Sequence, residues 1–445
     1  MTAERKVRGG LNRDILRLAV PALGALVAEP LFLIVDAALV GHLGVVPLAG
    51  LGIASAVLQT IVGLMVFLAY STTPAVARRL GAGDPSRGVS VGIDGMWLAL
   101  GIGAVLALAG YASTPFLVGL FGASPEVTEA ADTYLGISMG GLPAMLIVFA
   151  ATGLLRGMQD TVTPLWIAGL GFAANALLNW LFIYGFGWGI AGSAIGTVVA
   201  QWAMVAAYVA VVARLARRHA ASIRPHRDGM RGSARAGGWL FLRTLSLRIA
   251  FLLSVVAATA LGTQELAGYQ VVFTIFSAAA FALDALAIAA QALIGKGLGA
   301  GDIPQVRRVL GRVGRWGLAF GVIVGGAIAA LSGVLGLVFT GDPELAAAIQ
   351  PALLVLAVAQ PVAGLVFVLD GVLIGAGDAK YLAVTGVINL ACYLPLLWWV
   401  VASGVTGSAG LTWLSVAFFG GYLLARLATL GWRARGTQWM VVGVT

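Results

Sequence analysis

Charged residues are scarce in this chain of 445 residues. They make up 10% of the sequence, while hydrophobic residues make up 60%. A soluble domain carries about 25% charged residues, most of them on its surface. The low content therefore excludes an ordinary soluble globular domain and indicates that lipid surrounds the chain.

Cysteine and the motifs of common enzymes are also nearly absent. Cys392 is the single cysteine, which excludes an internal disulfide. The three histidines show no metal-ligand spacing, and the sequence contains no phosphate-binding loop, GxSxG elbow or HExxH motif. We therefore expect no catalytic residue, no metal and no cofactor. A membrane-embedded enzyme would need such a constellation, so we expect the protein not to be an enzyme.

Apolar runs long enough to cross a bilayer, about 20 residues each, are abundant instead. About twelve are predicted, at 14–40, 48–72, 89–112, 133–155, 163–185, 190–213, 238–262, 267–291, 313–338, 349–373, 381–402 and 408–430. This pattern predicts an all-α polytopic membrane protein with about twelve transmembrane helices.

The sequence repeats itself at a constant offset of 218 residues. Leu-Gly-Ala-Gly-Asp at 80–84 recurs at 298–302, and further matches extend from residue 48 to residue 192 without a gap. Each copy holds six spans, so both copies enter the membrane from the same side. We therefore predict two parallel six-helix repeats, related by a pseudo-two-fold axis along the membrane normal. The predicted domains are an N-terminal lobe at 1–213, a basic linker at 214–237 and a C-terminal lobe at 238–445.

Positive charge is confined to alternate loops. The chain carries 27 Lys and Arg residues and a net charge of +9, and all of these cations except Arg248 lie in or beside one set of alternate loops and the termini. The opposite loops carry acids such as Glu126 and Glu344. The positive-inside rule predicts a multi-pass protein of the cell membrane with both termini in the cytoplasm. The basic stretch 214–243 lies between long apolar runs and not in a soluble domain that mixes cations with stacking aromatic residues, so we expect no binding to nucleic acid.

Four ionisable residues inside the predicted spans stand out: Asp36, Arg248, Asp284 and Asp370. A charge near the centre of a span costs at least ~2.5 kcal/mol, so each calls for a functional hypothesis. Arg248 could neutralise either Asp284 or Asp370. For these three residues, a structural ion pair and a role in transport remain alternatives. Asp94 is expected at the membrane interface, because its repeat mate is Arg312.

Asp36 has a polar environment in the first copy only. Asn175 and Asn179 are four residues apart and share one helical face, and Thr197 lies in the next span. Counted back from the outer loops, these side chains lie at a depth similar to that of Asp36, so they could converge inside the N-terminal bundle. A carboxylate is costly in an apolar bundle, which suits a proton carrier. The alternative is a structural hydrogen bond between helices.

Two stretches resemble the multidrug and toxic compound extrusion (MATE) family, in particular its DinF-like branch. They are Pro30–Gly44 (PLFLIVDAALVGHLG) and Phe367–Gly375 (FVLDGVLIG). The resemblance implies two six-helix lobes and export driven by a proton or sodium gradient. It implies that Asp36 matches the essential acid of the N-lobe, with Asn175 and Thr197 as polar neighbours. Pro21 matches the proline at which the first helix bends. Asn179 departs from the family pattern, in which an aspartate is frequent.

The sequence therefore predicts a cation-coupled antiporter, with protons favoured over sodium, that exports amphipathic cationic compounds by alternating access. Its partners would be small-molecule substrates, the coupling ion and membrane lipid, and we expect a monomer. The alternative is a flippase of lipid-linked precursors, which has a related two-lobe plan. A flippase would line its cavity with several cations, whereas Arg248 is the one cation that we place away from the ends of the predicted spans.

Overall fold

The computed structural model describes the backbone of residues 2–444 and the side chains of residues 10–444. That part of the chain is helical and contains no strand. Eleven helices are long and apolar enough to cross a membrane, or up to twelve when a bent helix pair counts as one span. The predicted all-α polytopic fold is confirmed. The basic side chains of Arg5, Lys6 and Arg8 lie outside the described residues.

The chain divides into two compact units. We call Val20–Gly237 the N-terminal unit, and Gly238–Gly443 with the residues up to Ala19 the C-terminal unit. The segment predicted as a linker, 214–237, groups with the N-terminal unit, and the residues before Val20 group with the C-terminal unit. Two long helices therefore contribute residues to both units, the first helix of the chain and the one that follows the linker.

The predicted linker 214–237 is mostly helical, and only its residues 219–226 lie outside helices. Eight helices precede these residues: α1 (Thr2–Gly41), α2 (Val45–Met65), α3 (Phe67–Gly81), α4 (Pro85–Gly119), α5 (Pro125–Met139), α6 (Leu142–Gly157), α7 (Val162–Trp180) and α8 (Gly189–Arg218). Seven follow: α9 (Arg227–Leu261), α10 (Thr263–Gly299), α11 (Ile303–Phe339), α12 (Pro343–Gly375), α13 (Ala379–Ala402), α14 (Gly407–Ser415) and α15 (Leu423–Arg435). A π-helical turn extends α7, and a second one joins α14 to α15.

In both copies, one helix ends and the next begins at the repeated Leu-Gly-Ala-Gly-Asp motif. Gly83 and its repeat mate Gly301 have φ angles of 80° and 69°, a left-handed conformation that glycine adopts without steric cost. The next residue caps the following helix in both copies. The Asp84 side chain accepts from the Arg87 N–H, and the Asp302 side chain accepts from the Gln305 N–H, each at 2.9 Å.

The two copies differ in the continuity of their helices. In the N-terminal unit, the second span is interrupted at Val66, and α5 and α6 meet at a bend of 49°. The bend contains the adjacent pair Gly140 and Gly141, and glycine pairs favour kinks. In the second copy the same positions are Val358 and Ala359, and α12 runs through them without a break.

A stripe of glycines lets α11 pack directly on the backbone of α12. Gly317, Gly321 and Gly325 recur every four residues on one face of α11. A Cβ atom at Gly321 would lie 2.4 Å from the Gln360 carbonyl oxygen, and one at Gly325 would lie 2.4 Å from the Ala357 carbonyl oxygen. In lipid the hydrophobic effect does not drive helices together, so this close backbone contact supplies the packing energy.

The linker backbone lies along one face of α4. Four side chains spaced along that face hydrogen-bond to it: Ser86, Ser90, Asp94 and Trp97. Asp94 is 2% exposed and accepts from the His226 N–H at 2.8 Å, just before the first residue of α9. A carboxylate is favourable at a helix N-terminus, where N–H groups are unpaired. Asp94, expected at the membrane interface, is therefore a buried residue that fixes the start of α9.

Candidate coupling site in the N-terminal unit

Asp36 is the centre of a buried polar cluster. Its side chain lies in α1, is 4% exposed, and accepts three hydrogen bonds from three other helices. Tyr134 Oη of α5 donates at 3.1 Å, Asn179 Nδ2 of α7 at 2.7 Å and Ser193 Oγ of α8 at 2.7 Å. One carboxyl thereby connects the first helix to the rest of the bundle.

Asn175 and Thr197 form the outer part of the same cluster. Asn179 Nδ2 also lies 3.2 Å from Asn175 Oδ1, and Asn175 Nδ2 donates to Thr197 Oγ1 at 2.9 Å. The two asparagines lie one turn apart on α7, as their spacing predicted. The structure thus brings together all four residues that the sequence placed in one cluster, while their role in coupling stays a prediction.

The donors around Asp36 are all neutral and suit an ionised carboxylate. A phenol, an amide and a hydroxyl donate to its two oxygens, and among residues with described side chains no Lys or Arg forms a salt bridge with it. A protonated carboxyl becomes a donor itself and needs an acceptor. Proton binding therefore adds a donor to a carboxyl whose three partners all donate to it.

Asn179 combines full burial with a free acceptor. It is 0% exposed, and its Oδ1 atom has no hydrogen-bond partner among the described residues. The amide packs on Gly196 of α8, where a Cβ atom would lie 2.2 Å from Asn179 Oδ1. The missing side chain of Gly196 thus makes room for the asparagine that contacts Asp36.

Sequence reasoning missed three polar residues of this unit. Ser193 lies four residues before Thr197, a spacing that places both on one face of α8 and could have revealed it. Tyr134 offered no comparable signal, since its contact with Asp36 depends on how α5 packs. Glu29 is a further acid within the first predicted span, seven residues before Asp36 and exposed on α1.

The equivalent positions of the C-terminal unit contain no acid. Ser254, the repeat mate of Asp36, lies 2.7 Å from Tyr393 Oη, and Tyr393 is the mate of Asn175. Aromatic rings surround this pair, with Tyr393 and Phe418 centroids 5.8 Å apart and Phe418 and Phe419 centroids 5.1 Å apart. The two copies therefore share a backbone plan, but only the first has an ionisable centre.

Asp370 forms a buried ion-pair cluster with two arginines. Arg243 of α9 and Arg426 of α15 both donate to its carboxylate, the latter at 3.1 Å. The expectation that Arg248 neutralises Asp370 is wrong. Arg248 lies five residues after Arg243, which places it about 140° around the helix, and its side chain is exposed. Asp284 is half-buried in α10.

Pro21 lies inside α1, next to the division between Ala19 and Val20. Proline lacks an N–H and removes one hydrogen bond from the helix ladder. The ladder is therefore interrupted fifteen residues before Asp36, and Pro30 is a second interior proline of the same helix. The bend that the resemblance implied at Pro21 stays a prediction.

A bundle of membrane-spanning helices with an uncompensated buried acid defines a membrane transport protein. The MatE family model matches residues 21–181 and 240–399. The matched regions cover most of the chain and correspond to the two sequence copies. The chain therefore belongs to the MatE family, the multidrug and toxic compound extrusion transporters, as its sequence motifs predicted.

Individual relatives agree with this assignment. Protein DETOXIFICATION 44, chloroplastic, of Arabidopsis thaliana is 30% identical over 439 residues, which cover 96% of this chain and 82% of the relative. The probable multidrug resistance protein NorM of Pseudomonas putida is 29% identical, with 90% of each chain covered. The bent form of the Vibrio cholerae MATE transporter VcmN superposes with a TM-score of 0.87 at 22% identity, covering 97% of each chain. At that identity the likeness shows the fold.

Proposed function

We propose that this MatE-family chain is a proton-coupled antiporter that exports amphipathic cationic compounds, with Asp36 as the coupling carboxyl. The observation that carries the proposal is the contrast between two buried acids, Asp36 and Asp370. Asp370 is compensated by two arginines, whereas Asp36 has only neutral donors. A carboxyl without a fixed counter-charge can change its charge by taking up a proton at lower cost to the structure.

Proton binding at Asp36 would act on the packing of α1. The ionised carboxylate joins α1 to α5, α7 and α8 through three hydrogen bonds. Protonation removes the charge that strengthens these three bonds and adds a donor among groups that all donate, which weakens the connection. We propose that α1 then rearranges at Pro21 and that substrate is released outward, which is one half of an alternating-access cycle.

The geometry favours a proton over sodium. A sodium ion needs several oxygen atoms directed at it, but Asn179 presents its amide nitrogen to Asp36 at 2.7 Å. Tyr134 and Ser193 also act as donors to the carboxylate. One carboxyl is sufficient for a proton, whereas sodium would require these groups to turn their lone pairs inward.

The test is dye efflux from proteoliposomes that carry a pH gradient and contain no sodium. We expect transport that a protonophore abolishes, and near-complete loss in Asp36→Asn with normal membrane insertion. Glu126→Gln makes the same chemical change at an exposed acid and should keep full transport. Wild-type activity in Asp36→Asn would falsify the coupling role. Transport that requires an inward sodium gradient would overturn proton coupling.

We also propose that both termini and the linker face the cytoplasm of a cell membrane. The support is the one-sided distribution of Lys and Arg. Single cysteines at Ser222 in the linker and Ser124 in an opposite loop test this in a chain without Cys392. An impermeant reagent added to intact cells should label position 124 only. Labelling of position 222 from outside would show that the orientation is opposite to the one proposed.

A further inference from the structure

A cavity of about 440 Å³ opens between the ends of α6 and α8 and the start of α7. Small-ligand pockets are typically about 300–1,000 Å³, so this volume is enough for a ligand headgroup. Leu155, Met158, Val211 and Leu215 supply an apolar lining. Arg214, Arg218 and His219 supply cationic or polar groups at the same cavity. The cavity lies within the N-terminal unit and shares no residue with the Asp36 cluster.

Neither Arg214 nor Arg218 forms a salt bridge among the residues whose side chains are described. Both are exposed, and they lie four residues apart on one face of α8. Asp160 also lines the cavity, but its carboxylate is already used by the first turn of α7. It accepts from the N–H groups of Val162 and Thr163, each at 3.0 Å, and from Thr163 Oγ1 at 2.6 Å. The cavity therefore keeps a net positive charge.

The second copy of the repeat pairs the equivalent acid with an arginine. Arg433, the repeat mate of Leu215, donates to Asp378 at 2.7 Å, and its guanidinium lies 4.7 Å from the centroid of the Tyr381 ring. Asp378 is the mate of Asp160. In the first copy a leucine stands where that arginine would be, and the arginines at the cavity are Arg214 and Arg218 instead. The two copies thus place their arginines differently around the equivalent acid.

We propose that this cavity binds the headgroup of an anionic phospholipid, with its phosphate on Arg214 and Arg218. The apolar lining would take the start of the acyl chains, and a headgroup hydroxyl would donate to the remaining lone pair of Asp160 Oδ2. Basic pockets between helices at the cation-rich end of a membrane protein are suited to anionic headgroups. An uncharged or zwitterionic headgroup would leave the net positive charge of the cavity unmatched.

The experiment is native mass spectrometry of the delipidated full-length protein, titrated with phosphatidylglycerol. The double substitution Arg214→Gln with Arg218→Gln should weaken phosphatidylglycerol binding about 25-fold, the effect expected for two basic contacts at a lipid headgroup. The control is Arg231→Gln with Arg235→Gln. These arginines are also exposed and four residues apart on a helix, α9, but they do not line the cavity. The control should bind like the wild type.

A second variant separates a cavity from diffuse surface attraction. Leu215→Trp fills the space and keeps both arginines, so it should weaken binding as well. If Leu215→Trp binds phosphatidylglycerol as tightly as the wild type, the proposed site is wrong. The same holds if the control pair loses as much affinity as the Arg214 and Arg218 variant. Phosphatidylethanolamine bound as tightly as phosphatidylglycerol overturns the charge argument. Displacement of the lipid by millimolar inorganic phosphate would show a free-phosphate site instead. None of these measurements depends on transport.

Discussion

Gly196→Ala should disable the Asp36 cluster although it replaces none of the polar side chains in it. The new Cβ atom would lie 2.2 Å from Asn179 Oδ1, and ordinary contact begins at 3.4 Å. The asparagine amide must therefore retreat by about 1.2 Å, the difference between these distances. Its 2.7 Å hydrogen bond to Asp36 would lengthen toward about 3.9 Å if the amide moves directly away, beyond hydrogen-bond distance.

The free energy lost with this hydrogen bond depends on the charge of its acceptor, the Asp36 carboxylate. A hydrogen bond to a charged group is worth about 1.5–3 kcal/mol, which corresponds to about a 10- to 100-fold change in an equilibrium constant. We expect proton-driven dye efflux to fall by about tenfold or more, measured in proteoliposomes at equal protein density. Gly169→Ala on α7 is the control, because no atom lies within 4 Å of its added Cβ.

A double-mutant cycle with Asn179→Ala isolates the mechanism. If Gly196→Ala acts only by displacing Asn179, the double variant should transport no worse than Asn179→Ala alone. Losses that multiply would show that Gly196 acts through other contacts. Full activity in Gly196→Ala would refute the reasoning that Asn179 must remain against Asp36.

Three further substitutions test the surrounding structure. Asp370→Asn removes the carboxylate that Arg243 and Arg426 share, so it should destabilise the protein by about 3–5 kcal/mol and lower the thermal unfolding temperature, while folded molecules keep most of their transport. Complete loss of transport at unchanged stability would place Asp370 in the mechanism. Gly321→Ala should lower the free energy of unfolding by about 1–3 kcal/mol through contact with the α12 backbone, and the protein should unfold at a lower temperature. Gly326→Ala, with open space around its Cβ, is the control and should not destabilise the protein. Equal unfolding temperatures for the two variants would contradict the packing argument. Asp94→Asn should speed amide hydrogen exchange in the first turn of α9 several-fold, because a carboxylate at a helix N-terminus stabilises the helix by about 0.3–1 kcal/mol. Unchanged exchange would show that the charge of Asp94 is not needed there.

Periodicity and composition alone determined the broad architecture. Lipid admits few charges and requires every backbone polar group to be satisfied within helices, so a low charge content and long apolar runs predict membrane helices directly. The offset of 218 residues predicted the duplication, and the left-handed residues Gly83 and Gly301 bear it out in the backbone. Helical spacing also predicted that Asn175 and Asn179 share a face.

Partners across helices were decided by tertiary structure. The contacts of Tyr134 and Ser193 with Asp36 depend on the rotation and depth of α5 and α8, which apolar helix patterns leave undetermined. For the same reason the sequence left Arg248 open to either Asp284 or Asp370, whereas packing pairs Asp370 with Arg243 and Arg426. The sequence fixes which residues lie on one helix face, because that depends on local geometry; which faces meet depends on side-chain packing among all the helices of a bundle.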